Sequence, residues 1–389
     1  MKTNLSQLPM NKKTVIPPTL RELDETLYES VKGIDILSAI APQNYQHEKQ
    51  AFFDGHGKAN PKFSYEKTNL NLFSKKRELF NLPVETIKSK ELYRLYSEVI
   101  QSYVDKLDQF RHIGTEKFLY DSLRYYGEPS ARDIRNAEYL LHITAQEPQA
   151  QTDLVGANEI KKYFESFAAA NNYPLTLTLE DSMIANALVS GDTVKINTQA
   201  KVSKPQLRAL AHHELGVHLA TTLNAQSQPL KILLLGSPVN TTTQEGLALL
   251  CEYLSGFMTL DRFRMLALRV IAVNSMIIEK DFKRTFSLLV DQHGASPASA
   301  FAISSRVYRG GGFTKDYLYL KGFQQILEAY QSKLKIHNLL CGKVSFEHLQ
   351  VVNKLIEQGY LIAPKHISPA IRRPVPTDPV LKFIAQAIK

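Results

Sequence analysis

The stretch Ala211-His-His-Glu-Leu-Gly-Val-His218 holds the side chains best suited to chemistry. Within it, His213-Glu214-x-x-x-His218 is one residue longer than His-Glu-x-x-His. In that shorter spacing two histidines on one helix face share a zinc ion, and the adjoining glutamate serves as general base. Five apart, two side chains on a regular α-helix diverge by about 140°. Both reach one metal only where the helix is irregular, so the spacing predicts a π-type bulge near Leu215 to Val217. Gly216, inside the spacing, relieves crowding there.

A catalytic zinc takes three protein ligands and keeps one position open for water. The third ligand belongs on a separate element, and Thr241-Thr-Thr-Gln-Glu-Gly-Leu-Ala248 offers a carboxylate near the start of a second helix. Glu245 and Glu252 are seven apart and share one face of that helix, and spacing alone does not choose between them. His212 reads as a neighbour of the first ligand, in its outer shell or at the surface. Further along the chain are cations suited to holding an anionic group, since an arginine grips a carboxylate through two parallel hydrogen bonds. Arg306, Arg309 and Lys315 lie close together around Gly310-Gly-Gly312, and Tyr319 reads as a packed aromatic or, alternatively, as a donor to a tetrahedral oxyanion.

These residues need a scaffold. Residues 1–19 read as a disordered lead, and apolar spacing predicts a helix from Leu20 to about Ile40. Residues 43–83, punctuated by Gly55, Gly57, Pro61 and Pro83, read as an irregular extended segment. Helices are expected over Pro83–Phe110, Glu116–Tyr126, Ala131–His142 and Ala157–Asn171. The period then changes to alternation over Pro174–Glu180, Met183–Val189 and Thr193–Asn197, with a tight turn at Gly191-Asp192. Ser203-Lys-Pro-Gln206 is a capping box that opens the histidine helix; Thr241-x-x-Gln244 reads as a second, and Thr242-x-x-Glu245 serves equally well, though only the first leaves Glu245 free for a metal. A loop fills Asn224 to Val239, and the rest of the chain is helical. The sequence therefore divides into the lead, an N-terminal helical region over 20–155 and a catalytic part over 156–389.

With 389 residues and 44% hydrophobic content, the chain is long enough for a large core. The formal charge of +9 favours acidic partners, although the basic residues are scattered. No zinc-finger or other nucleic-acid motif accompanies that charge. Two cysteines exclude a disulfide framework and a thiolate cluster, which fits a reducing, cytoplasmic setting. The most apolar later stretch, Phe257 to Ile278, carries Asp261, Arg262, Arg264 and Arg269, which excludes a membrane span.

Four motifs together are specific: His213-Glu-Leu-Gly-x-His218, Gln244-Glu-Gly-Leu-Ala248, Arg306-x-x-Arg309-Gly310, and Phe313-Thr-Lys-Asp-x-x-Tyr-Leu-x-Gly322. They resemble the bacterial QEGLA-motif proteins, named as flavohaemoglobin expression modulators, which are relatives of the microtubule-associated tyrosine carboxypeptidases. The resemblance extends from about residue 20 to the C-terminal region. It implies an α+β, mostly helical, zincin-like domain with a small sheet before the His-Glu helix. It further implies one Zn2+ per chain on His213, His218 and Glu245, and Glu214 as the base that activates the zinc-bound water. The implied activity is removal of the C-terminal residue, tyrosine or similar, from a peptide or protein tail, an acidic one included. The rival reading is a regulatory protein that keeps zinc without catalysis, against which an intact Glu214 argues.

Overall fold

The computed structural model describes residues 15–67, 69–143, 153–181, 183 and 185–389. Most of the expected lead therefore lies outside the described residues, and the first helix already begins at Pro18. The chain is mostly helical with two small sheets, the α+β class expected. The principal helices before the sheets are α1 (Pro18–Val31), α2 (Tyr45–Asp54), α3 (Leu72–Phe80), α4 (Lys90–Arg111), α5 (Lys117–Tyr126) and α6 (Ala131–His142). Gly33, at φ +82°, separates α1 from a short helix, Ile36–Ala39, so the expected helix to Ile40 is broken. Residues 43–83 are not the irregular segment expected, because α2 and α3 lie within them. Phe52 and Phe53 of α2 join Phe63, Phe282, Phe286 and Phe301 in an aromatic cluster. The reward for helix formation there comes from distant side chains.

Strand β1 (Leu154–Gly156) leads into α7 (Ala157–Asn171), then β2 (Thr176–Glu180), β3 (Ala187–Ser190), β4 (Thr193–Asn197) and β5 (Lys201–Ser203). β3 and β4 form the expected hairpin around Gly191-Asp192, with Gly191 at φ +62°. β4 also pairs in parallel with β2, and β5 pairs antiparallel with β1. From β5 the chain turns directly into α8, residues 204–226. Ser203 caps it through Gln206, and Pro205 lies in the first turn. α8 is α-helical over Lys204–His213, π-helical over Glu214–Leu219 and α-helical again over Ala220–Gln226.

Two cores meet at this helix. Leu207, Ala211, Leu215, Leu219 and Leu223 face the sheets and α7. Val217 and Ala225 face a larger core built by the N-terminal helices and the second half of the chain. That second half contains α9 (Asn240–Leu254), α10 (Leu260–Glu279), α11 (Pro297–Tyr308), α12 (Leu318–Gln331) and α13 (Leu349–Glu357). α9 is buried along its whole length from Gly246 to Leu254, as a helix apolar on all sides must be. It packs against α8 and α12. The capping box expected at Thr241 does not form. Val239, in the left-handed region at φ +47°, starts the helix earlier, and the Thr243 hydroxyl instead accepts from the Phe346 N–H at 2.7 Å. Among the described residues no helix is long and apolar enough to cross a membrane.

Candidate metal centre

The irregularity expected between the histidines is the π segment of α8. Bonding from i to i+5 stacks residue 218 above residue 213. The two imidazole centroids are 5.0 Å apart. Glu245, in the second turn of α9, reaches between them: its Oε2 is 3.5 Å from His213 Nε2 and 3.6 Å from His218 Nε2. All three ligand atoms lie within 4.8 Å of one another. With metal–ligand bonds of about 2.1 Å, the edge of a tetrahedral site is about 3.4 Å. Both measured separations therefore fit donors around one zinc-sized ion.

The electrostatics favour a positive charge at the same point. Burial works against a charged His213, yet hydrogen bonds to Glu245 and Glu252 hold its pKa up at about 10. Glu245 is half-buried, and Lys315 together with the two histidines keeps its carboxyl well below the usual range. The Glu214 carboxylate is buried beside them, with Oε1 4.0 Å from His213 Nε2. Burial raises its pKa, and the neighbouring histidines partly oppose the rise.

Glu252 does not reach the donor cluster. Its Oε1 accepts a 2.7 Å hydrogen bond from His213 Nδ1, on the far side of the ring from Glu245. Arg262 holds it in a fork, with Nε 3.0 Å from Oε2 and Nη2 2.9 Å from Oε1. This arrangement fixes the imidazole so that Nε2 faces the other donors. Burial opposes the Glu252 charge, but Arg262 and His213 keep its pKa at about 2. The seven-residue spacing put both glutamates on one face without separating these roles. Arg262, on the next helix, gave no signal in the sequence. His212 turns away into an aromatic wall, 5.1 Å from the Phe167 ring and 6.1 Å from that of Phe257.

The four residues proposed for substrate contact are not equivalent. Lys315 Nζ lies 3.2 Å from Glu245 Oε1 and 3.2 Å from the Tyr319 hydroxyl, so both adjoin the donor cluster. Arg306 is committed to the fully buried Asp316, at 2.5 and 2.9 Å. Arg309 stacks on Phe313 at 4.9 Å. Gly310 to Gly312 all have positive φ, and the close approach they permit is made by the chain itself. A Cβ on Gly311 would lie 2.1 Å from the Thr115 carbonyl oxygen, and one on Gly310 would lie 2.6 Å from Phe118.

Two imidazoles and a carboxylate so placed could hold a metal ion, and a second carboxylate, that of Glu214, is buried alongside. A family profile described as microtubule-associated tyrosine carboxypeptidase matches residues 50–389. The chain belongs to that family. No curated protein matches it. Among solved structures, one from Colwellia psychrerythraea, provisionally described as a lipoprotein, is similar at 17% identity and a TM-score of 0.39. The alignment covers 82% of this chain and 57% of that one.

Proposed function

We propose that this protein is a zinc-dependent carboxypeptidase that removes the last residue of a peptide or protein tail. The observation that carries the reading is the convergence of His213, His218 and Glu245 beside the buried carboxylate of Glu214, in a family named for tyrosine carboxypeptidase activity. A sheet feeding a His-Glu helix, with the third donor on a later helix, supports a zincin-like arrangement. Bound by the three donors, zinc would supply Lewis acidity toward the scissile carbonyl and lower the pKa of water at the site.

The chain's own residues do the rest. Glu214 takes the proton as water oxygen adds to the carbonyl carbon, and delivers it to the amine nitrogen as the C–N bond breaks. Burial, by raising its pKa, moves Glu214 toward the range where one carboxyl both accepts and donates. Glu252 and Arg262 hold His213 in register, and Lys315 does the same for Glu245. The Tyr319 hydroxyl, beside Lys315, is placed to donate toward a developing oxyanion. The formal charge of +9 favours acidic tails.

Mass spectrometry of a C-terminally diverse peptide library tests the reading. Single terminal residues should be released, release should stop on chelation, and zinc should restore it. Internal cleavage products, or no release from zinc-loaded protein, would refute it.

A further inference from the structure

The cations beyond Tyr319 outnumber the carboxylates around them. Arg262 is paired with Glu252, Lys315 with Glu245, and Arg306 with Asp316. Arg269 and Arg309 lie in the field of the same Asp316, so three guanidinium groups surround one fully buried carboxylate. Among the described residues neither Arg269 nor Arg309 has a carboxylate within 4.0 Å, and the Nε of each is buried without a hydrogen-bond partner. Aromatic faces hold both groups: Arg269 sits 5.0 Å from the Tyr319 ring and Arg309 sits 4.9 Å from the Phe313 ring. One carboxylate cannot balance three guanidinium groups, such a surplus of positive charge is costly to withdraw from water, and a bound anion removes that cost. Tyr319 also links the cluster to the metal centre, because its hydroxyl touches Lys315, which touches Glu245.

We infer that Arg269 and Arg309 form a subsite for the free α-carboxylate at the C-terminus of a peptide. The identity of the ligand rests on the carboxypeptidase reading; the charge surplus stands without it. Arg269 is a single cation in the otherwise apolar run Leu266–Val273 of α10, which in sequence looks only like a reason against a membrane span. In the fold it is the arginine whose fork no acidic side chain occupies. Tyr319 then serves as the platform that fixes the Arg269 plane, so that two parallel N–H groups meet the two carboxylate oxygens.

The test uses zinc-loaded full-length protein carrying Glu214→Gln, titrated with one acetylated tripeptide as the free acid and as its C-terminal amide. The free acid should bind about tenfold to a hundredfold more tightly, the range for hydrogen bonds between charged groups. Arg269→Gln and Arg309→Gln should each remove most of that preference and leave amide binding within about twofold. Arg269→Lys, which keeps the charge and loses the fork, should restore only part of it. Without peptide, both glutamine variants should melt no lower than the parent, because each removes a half-buried cation that has no carboxylate of its own. A free-acid preference that survives all three substitutions overturns the inference, whether or not wild-type protein releases terminal residues. A preference that follows the arginines in a protein with no such release would keep the anion subsite and discard the peptidase reading.

Discussion

Gly246→Ala is the perturbation whose consequence is most directly set by the packing. α9 and α12 touch through backbone here: a Cβ on Gly246 would lie 2.3 Å from the Gly322 carbonyl oxygen, and one on Gly322 would lie 2.0 Å from that of Thr242. Ordinary contact begins at 3.4 Å, and since the obstacle is backbone, no rotamer change relieves the shortfall of about 1.1 Å. α9 also packs against α8, so the two helices share the displacement and Glu245, the preceding residue, moves by about half of it. Metal sites tolerate only about 0.2 Å in their ligand distances. Overpacking of this kind destabilises by about 1–3 kcal/mol, which leaves a chain of this size folded. We therefore expect a cooperative melt at reduced temperature and a zinc affinity lowered by at least about 10–100-fold, the loss typical of disturbing a ligand's support. Competition against a chromophoric chelator, beside thermal unfolding, reads both. Parental zinc affinity in a folded Gly246→Ala protein would refute the claim that this contact sets the position of Glu245.

Two further outcomes follow from the same geometry. Glu245→Ala should abolish stoichiometric zinc, whereas Glu252→Gln should only weaken binding, by about 10–100-fold, because it loosens His213 without removing a donor; elemental analysis giving the opposite order would reverse the two roles. His212→Phe should keep zinc and flatten the pH dependence of stability. Burial holds the His212 pKa at about 4 against an ordinary 6.5, so between those values the unfolded chain binds the extra proton. The parent then loses up to about 3 kcal/mol as pH falls through that window, and the phenylalanine variant does not. Equal slopes in denaturant titrations between pH 7.5 and 5 would contradict this.

The sequence was most informative where local chemistry decides local structure. The Ser203–Gln206 capping box, the Gly191-Asp192 turn and the bounds of Ala131–His142 and Ala157–Asn171 were all readable, because cap, turn and apolar period agree there. So was the distortion between His213 and His218, since only an irregular helix brings residues five apart to one side. What was not legible depends on distant partners. The helix at Tyr45–Asp54 is secured by aromatic rings from Phe282 to Phe301, and Gly55 ends that helix rather than interrupting a coil. The Thr241 box loses to Val239, which takes a backbone conformation no spacing rule anticipates. Gly246 and Gly322 stand in two separate motifs, and only the fold shows that they face each other. Likewise Glu252 and Arg262 share one hydrogen-bonded fork across two helices, and Arg306 is bound to Asp316 before any substrate arrives.

The most direct test of the account is turnover by Glu214→Gln protein with its metal verified. The substitution preserves size and hydrogen bonding but cannot accept a proton from water. Zinc content near one per chain and an unchanged melt should accompany a loss of roughly two to four orders of magnitude in release of the C-terminal residue. Wild-type rates in a zinc-replete Glu214→Gln protein would contradict it.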